Sequence, residues 1–445
     1  MFSTSDTIVA IATPPGRGSL GVVRLSGPAA HTIAQRLTAR HVPFEPRHAT
    51  FTEISSDATP IDHVIATFFP APRSYTGDDT VELSAHGSIA ILHAIVAAAI
   101  GAGGRIAEPG EFTLRAFLNG RMDLMQAEAV ADLVDAVTPL QARVAFDQLQ
   151  GTLTGAIGEI SSALFDVMAR MEASVDFPDE GYHFLEPQQL IVSLDALIAR
   201  TLLLLADAQR GRLVREGFQI AIVGKPNVGK SSLFNALVGV SRSIVTSTPG
   251  TTRDVLTEVV EINGFRVTLA DTAGLRRTDD EIEAEGVGRA RQALGTSDVI
   301  LVVVDGSQPL DHSDLEIISQ TIDYNRLIVS NKCDVQGHVA QDFLPVSART
   351  GAGLDAVRDQ LTRALDTDMT RDPPAITNLR HITLVRQAHD ALQRAREAAG
   401  AGDRLPEEFV LADLQDAQAA LDEVTGKRAP DDLLNHIFSR FCVGK

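Results

Sequence analysis

The stretch FQIAIVGKPNVGKSSLFNALVG, residues 218–239, constrains this chain more than any other. An apolar run suited to a buried strand meets a G-x-x-x-x-G-K-S loop, and a helix-forming segment follows at once. Gly224 and Gly229 let backbone N–H groups curl around phosphates, Lys230 reaches the β- and γ-phosphates, and the Ser231 hydroxyl ligates Mg²⁺. Asn227, Val228 and Ser232 complete the loop. Strand, phosphate loop and helix in that order commit the region to a parallel α/β sheet.

The remaining nucleotide motifs arrive in sequence. DTAG follows the strand FRVTLA and sets Asp271, Thr272, Ala273 and Gly274 beside the metal and the γ-phosphate. NKCD follows RLIVS and supplies Asn331, Lys332 and Asp334. A carboxylate that accepts two hydrogen bonds from the guanine edge rejects adenine, which has no donors to offer there. Ser347, Ala348 and Arg349 end the next strand and back the base. TPGTTRD lies between the phosphate loop and DTAG, which makes Thr252 the second Mg²⁺ ligand. The ordered set predicts a Ras-like GTPase that binds GTP and Mg²⁺. One position departs from Ras-like proteins: where a glutamine would orient the attacking water, this chain has Leu275. The acidic run DDEIEAEG follows, and it reads either as a source of a catalytic carboxylate or as a solvated helix start.

The chain has 445 residues, 44% apolar and 22% charged, which suits several globular domains. No apolar run reads as a membrane span, the longest candidate being LIARTLLLLADAQ, and the N-terminus lacks the pattern of a signal peptide. Two cysteines cannot build a disulfide framework, so a reducing cytoplasm is expected. The net charge of −19 argues against non-specific binding of nucleic acid through counterion release.

Residues 1–121 alternate short strands and helices and read as an α+β domain. Residues 122–216 read as long helices, with Leu124, Ala127, Ala131 and Val134 on one face. Residues 217–373 hold the GTPase motifs, and residues 374–445 return to helix. The expected architecture is therefore a multi-domain α/β and α protein, with a discontinuous helical domain interrupted by an inserted P-loop GTPase domain.

Outside the GTPase motifs, four stretches carry a resemblance over essentially the whole chain: DTIVAIATPPGRGSLGVVRLSG, PRSYTGDDTVELSAHG, EPGEFTLRAFLNGRMDLMQAEAVADL and the terminal FCVGK. They resemble the MnmE (TrmE) family of tRNA-modifying GTPases. The resemblance implies that residues 1–121 bind a tetrahydrofolate derivative (formyl- or methylene-) and form a homodimer. It implies an FAD-containing partner of the MnmG (GidA) type, in a heterotetramer, and a tRNA substrate held largely by that partner, with no membrane involved. The two together would add an aminomethyl or carboxymethylaminomethyl group to carbon five of the wobble uridine of certain tRNAs.

The resemblance also implies K⁺ activation of GTP hydrolysis through paired G domains. Asn227 would ligate K⁺, with Thr246, Thr248 and Thr251 completing the site. Ser247, Pro249 and Gly250 shape the same loop. The water-orienting glutamate falls on Glu283. Folate contacts fall on Arg24, Glu82 and Arg121, the last often lysine in relatives; the other reading of each is an ion pair or a satisfied strand residue. His86 reads as a hydrogen-bonded structural histidine, with a place in the pocket lining as the other reading.

Cys442, four residues from the end, stands where a lipidation box would place it. Gly444 and Lys445 do not suit prenylation, and the preceding PDDLLNHIFSRF is not polybasic but a helix with Leu434, Ile437, Phe438 and Phe441 facing a core. By resemblance, Lys445 contacts the folate and Cys442 lies at the modification centre, as a nucleophile or as a packed thiol. Gly444 lets the backbone turn into the pocket. The rival reading is an Era-like ribosome-assembly GTPase, which shares NVGKSSLFNAL and PGTTRD but needs a basic RNA-binding module.

Overall fold

The computed structural model describes residues 5–176, 186–240, 256–271, 297–335, 337, 342–364, 376–400 and 407–444. The chain divides into two compact units. One comprises Met1–Ala131, Gln148–Pro187 and Glu397–Lys445; the other comprises Asp132–Asp147 and Gln188–Arg396.

The first unit holds a six-stranded sheet of β1 (Ile8–Ile11), β2 (Gly21–Ser26), β3 (Thr50–Ser56), β4 (Thr59–Phe69), β5 (Thr80–Ala85) and β6 (Arg105–Ile106), in the order β3-β4-β5-β2-β1-β6. Alternation sorts the side chains: Val23 and Leu25 of β2 are buried, while Val22 and Arg24 between them point to the other face. Val9, Val23, Leu25, Val64, Val81 and Leu83 pack with Ile33, Leu92 and Ile95 of the helices Ala30–Leu37 and Ile89–Gly101. On the opposite face Ile8 and Ala10 meet Ala107, Phe112 and Tyr75.

Phe112 is carried by the helix Glu111–Leu118, and a buried ion network fixes that helix to β1. Arg115, only 1% exposed, donates to Asp6 Oδ1 at 2.6 Å and to Glu111 Oε1 at 2.9 Å, and Arg105 bonds the same two carboxylates. The hydrogen bond from Arg105 lowers the Asp6 carboxyl most. Burial pushes Glu111 up, but hydrogen bonds from Arg105, the Glu108 backbone and Arg115 outweigh it. The last helix, Asp431–Phe438, buries Leu434, Ile437, Phe438 and the following Phe441 against Leu114 and Leu124, as its sequence spacing predicts.

The second unit holds β7 (Phe218–Val223), β8 (Leu256–Ile262), β9 (Phe265–Asp271), β10 (Val299–Asp305), β11 (Arg326–Asn331) and β12 (Leu344–Pro345), in the order β12-β11-β10-β7-β9-β8. Every pair is parallel except β8 with β9. The central strand VILVVVD is buried along its whole length. A strand covered on both faces needs this continuous apolar run rather than alternation.

Three expectations need correction. Within the long helices expected over residues 122–216, the run LQARVAFDQLQGTLTGAIGEISSALFDVMARMEASV, whose sequence reads as one continuous helix, breaks at Gly151 (φ +86) into Pro139–Leu149 and Thr152–Asp176. Val134 is 42% exposed, so the buried face set by Leu124 and Ala127 does not extend to it. The stretch Pro187–Glu216 is long and apolar enough, by length and composition, to cross a membrane. Its Leu190, Leu194, Leu197, Thr201 and Leu204 are buried, and Thr201 Oγ1 lies 2.8 Å from His389 Nδ1 on the helix Leu379–Gly400.

Candidate functional site

In the second unit, β7 ends at the phosphate loop and the helix Lys230–Val240 leaves it. Gly229 has φ +94, and a Cβ there would lie 2.2 Å from Asn331 Nδ2, so the loop admits no side chain at that point. Asn331, at the end of β11, donates from Nδ2 to the Val228 carbonyl at 2.8 Å and accepts at Oδ1 from the Ala348 N–H at 3.1 Å. One buried amide thus ties together the phosphate loop, the N-K-C-D turn and the S-A-R turn. Asn227 has φ +66, and its carbonyl accepts from Lys332 Nζ at 3.0 Å. Lys332 also donates to Asp305 Oδ2 at 2.6 Å.

Burial pushes the Asp305 carboxyl up, but hydrogen bonds from Lys332, Ser307 and Gln308 outweigh it and hold it far below the usual carboxylate range. Lys230, 8% exposed, donates from Nζ to the Lys225 carbonyl at 2.8 Å. A phosphate chain in the loop offers that ammonium stronger acceptors. The Lys225 side chain in turn pairs with Asp311 at 2.8 Å and Asp314 at 2.7 Å, the two carboxylates of the capping box on the helix His312–Gln320. Ser231 and Ser232 open the helix that follows the loop.

Asp334 accepts from Ser347 Oγ at Oδ1 and from Arg349 Nη2 at Oδ2, both at 2.5 Å. The Ser347 hydroxyl first, then its own backbone N–H and the Arg349 guanidinium, outweigh desolvation and hold its carboxyl below the ordinary value. Asp271 ends β9, with its backbone opposite Ile222 of β7. Thr246, Ser247, Thr248, Pro249, Gly250, Thr251, Thr252, Thr272, Ala273, Gly274, Leu275 and Glu283 lie outside the described residues, as does Lys445.

In the first unit the strand register sets Arg24 of β2 directly across from Glu82 of β5. Arg24 takes Glu82 Oε1 through Nε at 3.0 Å and through Nη2 at 2.8 Å, and its Nη1 donates to the Gly444 carbonyl at 3.3 Å. Its guanidinium lies over the rings of Tyr75 and Phe112, at 5.4 and 5.7 Å from their centroids. Glu82 Oε2 accepts no hydrogen bond from the described residues, and the side chain is 31% exposed.

The tail reaches this point through an antiparallel bridge of Val443 to Pro109 and a bond from the Gly110 N–H to the Cys442 carbonyl at 3.4 Å. Gly444 has φ +97, and a Cβ there would lie 2.2 Å from the Ile11 carbonyl oxygen. Only glycine admits both the conformation and the approach. Cys442 is exposed rather than packed.

Arg121 is exposed, with its Cγ beside Gly77. His86 bonds the carboxylate of Asp62 through Nδ1 at 2.8 Å, as expected of a structural histidine.

Tyr75 and Phe112 are within the stretches that carry the family resemblance, yet their role beside Arg24 is not legible there; one aromatic residue in a loop and another on a distant helix announce no partner. Asp305 and Lys225 were missed for the same reason, although a carboxylate ending a buried strand is a signal for a site.

A family model described as the GTP-binding protein TrmE N-terminus matches residues 7–121, and one described as the MnmE helical domain matches residues 124–442. Among curated proteins named tRNA modification GTPase MnmE, that of Koribacter versatilis is 43% identical over 456 residues, covering 100% of both chains. That of Aromatoleum aromaticum is 41% identical, covering 100% of this chain and 99% of its own. That of Aquifex aeolicus is 39% identical, covering 99% of this chain and 100% of its own.

Proposed function

This chain belongs to the MnmE (TrmE) family of tRNA modification GTPases, and from that premise we propose that it hydrolyses GTP in the modification of the wobble uridine of certain tRNAs. With an FAD-containing partner of the MnmG type it adds an aminomethyl or carboxymethylaminomethyl group to carbon five. A tetrahydrofolate derivative bound in the first unit supplies the one-carbon unit.

The observation that carries this reading is the meeting of Arg24, Glu82 and the Gly444 carbonyl, brought together from 420 residues apart in sequence. The group fits a folate. Glu82 Oε2 stands ready to accept from ring N–H donors, the Gly444 carbonyl offers a further acceptor, and Tyr75 and Phe112 supply aromatic walls. Lys445 and Arg121 are further contacts, and the exposed Cys442 lies just before Lys445 in the same tail. Phe51 and Ile65 are 72% and 44% exposed on the sheet face opposite the helices, a surface suited to a second copy of the chain.

At the nucleotide site, water attacks the γ-phosphorus and the bond to the β–γ bridging oxygen breaks, giving GDP and phosphate. Lys230 and the loop amides hold the phosphates, Ser231, Thr252 and Asp271 would hold Mg²⁺, and Asp334 reads the base. Asn227, with Thr246, Thr248 and Thr251, would hold K⁺, which when bound would supply positive charge near the γ-phosphate as an arginine finger does. Glu283 orients the water. Glu283→Ala is expected to keep GTP affinity and lose turnover by about 10²–10⁴-fold; unchanged turnover in K⁺ removes it from the mechanism.

The test of the whole reading is mass spectrometry of tRNA nucleosides from a strain lacking this chain, beside strains restored with wild type and with Cys442→Ser. Loss of the aminomethyl-type wobble uridines with restoration by wild type alone supports the modification function and a chemical role for Cys442. Restoration by both supports the function with a structural thiol. Nucleosides that never change would overturn the reading.

A further inference from the structure

The groups that would read a guanine edge are already satisfied from within the protein. Asp334 has its Oδ1 bonded by Ser347 Oγ and its Oδ2 by Arg349 Nη2, each at 2.5 Å. The neighbouring Ala348 N–H, able to meet a carbonyl, is taken by Asn331 Oδ1 at 3.1 Å. The two partners of Asp334 differ in kind. Ser347 is fully buried and short, so its hydroxyl is a fixed part of the turn. Arg349 is 77% exposed, and its guanidinium has no other hydrogen-bond or ion-pair partner among the described residues. It can swing away by side-chain rotation alone.

The chemistry of the two competitors is alike. Guanine presents N1–H and the 2-amino group on one carbon, which is itself a guanidine fragment. A guanidinium carries donors of the same kind, and Arg349 sets one of them, Nη2, on Oδ2, where one guanine N–H would bond. Adenine presents none at that edge. We propose that Arg349 is an internal mimic of the guanine edge, capping Asp334 in the nucleotide-free protein and exchanging with the base when GTP or GDP enters. Arg349 is therefore a specificity residue that acts through Asp334, and the inference rests on Asp334 being the guanine acceptor.

Two consequences follow from the exchange. Guanine gains its bonds to Asp334 only by releasing one that the protein already had, so guanine nucleotides bind less tightly and leave more readily than an open carboxylate would allow. A base without donors gives Asp334 no replacement for Arg349, so the cap stays closed against adenine.

The test is the affinity of the full chain for a fluorescent GDP analogue, measured for wild type, Arg349→Ala and Arg349→Lys. Each is titrated at low and high tetramethylammonium chloride, a salt whose cation is too large for a K⁺ site. Arg349→Ala is expected to bind about two- to five-fold more tightly than wild type at low salt, the range for an exposed ion pair. The ratio of the two affinities should shrink toward one at high salt, because screening weakens the cap while the phosphate contacts are common to both proteins. Arg349→Lys, which keeps the charge on a shorter, compact ammonium, should lie between them.

An Arg349→Ala protein that binds GDP equally or more weakly overturns the proposal, as does a ratio that ignores salt. Asp334→Asn, measured alongside, is expected to lose its preference for guanine. If it does while Arg349→Ala fails its test, the cap alone is wrong. If Asp334→Asn keeps wild-type GDP affinity, the acceptor role and the cap fall together.

Discussion

An arginine–carboxylate pair stands at the centre of each site, and the surroundings make the two pairs into different devices. Arg24 is 19% exposed, lies over two aromatic rings, and bonds both Glu82 and a backbone carbonyl. Arg349 is 77% exposed and holds one oxygen of Asp334. The first guanidinium is over-determined by its neighbours, so its position is set before any ligand comes. The second is held by one contact of the strength that solvent and salt erode. The same chemical pair thus gives a fixed wall in one unit and an exchangeable cap in the other.

The largest expected effect tests how firmly the fixed side is built. Arg115→Leu strips the buried network that seats the helix of Phe112 and leaves Asp6 and Glu111 without their innermost partner. Breaking a buried pair in this way costs about 3–5 kcal/mol, read as a lower urea midpoint for the first unit. A loss under about 1 kcal/mol would mean that the Arg24 pocket does not depend on the network. Next, Gly444→Ala forces a side chain toward the Ile11 carbonyl at a positive φ, a strain of about 1–3 kcal/mol. Under the proposed folate role of the first unit, tetrahydrofolate affinity should fall by about 10–100-fold while GDP affinity holds; equal loss of both would erase the distinction between the sites. Lys225→Met removes the pairs to Asp311 and Asp314 beneath the phosphate loop. GDP affinity should fall several-fold, about 1 kcal/mol, with folate binding unchanged.

The smallest effect is one of pH. Asp6 and Glu111 are held below their ordinary values in the fold. A depressed carboxyl contributes stability that is present above its unfolded value and lost as pH falls through its folded value. The first unit should therefore melt at progressively lower temperature as pH drops below about 4. Arg115→Leu should flatten that dependence, and a variant with the wild-type slope would assign the acid sensitivity elsewhere.

Legibility from sequence differed between the sites in a way that follows from how each is built. The nucleotide site is assembled from turns at strand ends in one sheet, and each turn carries its residues within one short contiguous run. GKPNVGKS, NKCD and SAR could therefore be read one by one. What escaped was the bonding between turns: Asn331 holding Val228 and Ala348, Lys332 lying on Asp305, and Arg349 closing on Asp334. In the first unit, Arg24 and Glu82 came to notice only by resemblance. Nothing local to either residue says that the register of β2 on β5 sets them face to face. The helix break at Gly151 and the exposed Val134 were misread because helical spacing alone does not reveal where a chain turns or which neighbours cover its face.

The sequence by itself determined the phosphate loop, the parallel sheet around its VILVVVD strand, the alternation that puts Arg24 and Val23 on opposite faces, and the amphipathic last helix. Each is a matter of short-range chemistry: backbone freedom at glycine, the period of a strand or a helix, the need to bury apolar surface. The tertiary structure alone decided that the Gly444 carbonyl meets Arg24, that Phe112 and Tyr75 flank it, and that Asp334 is capped by Arg349 rather than left open. Those contacts depend on packing and register between segments distant in the chain or on opposite sides of a turn. No residue encodes such a contact until the sheet and its helices have brought its partner within reach.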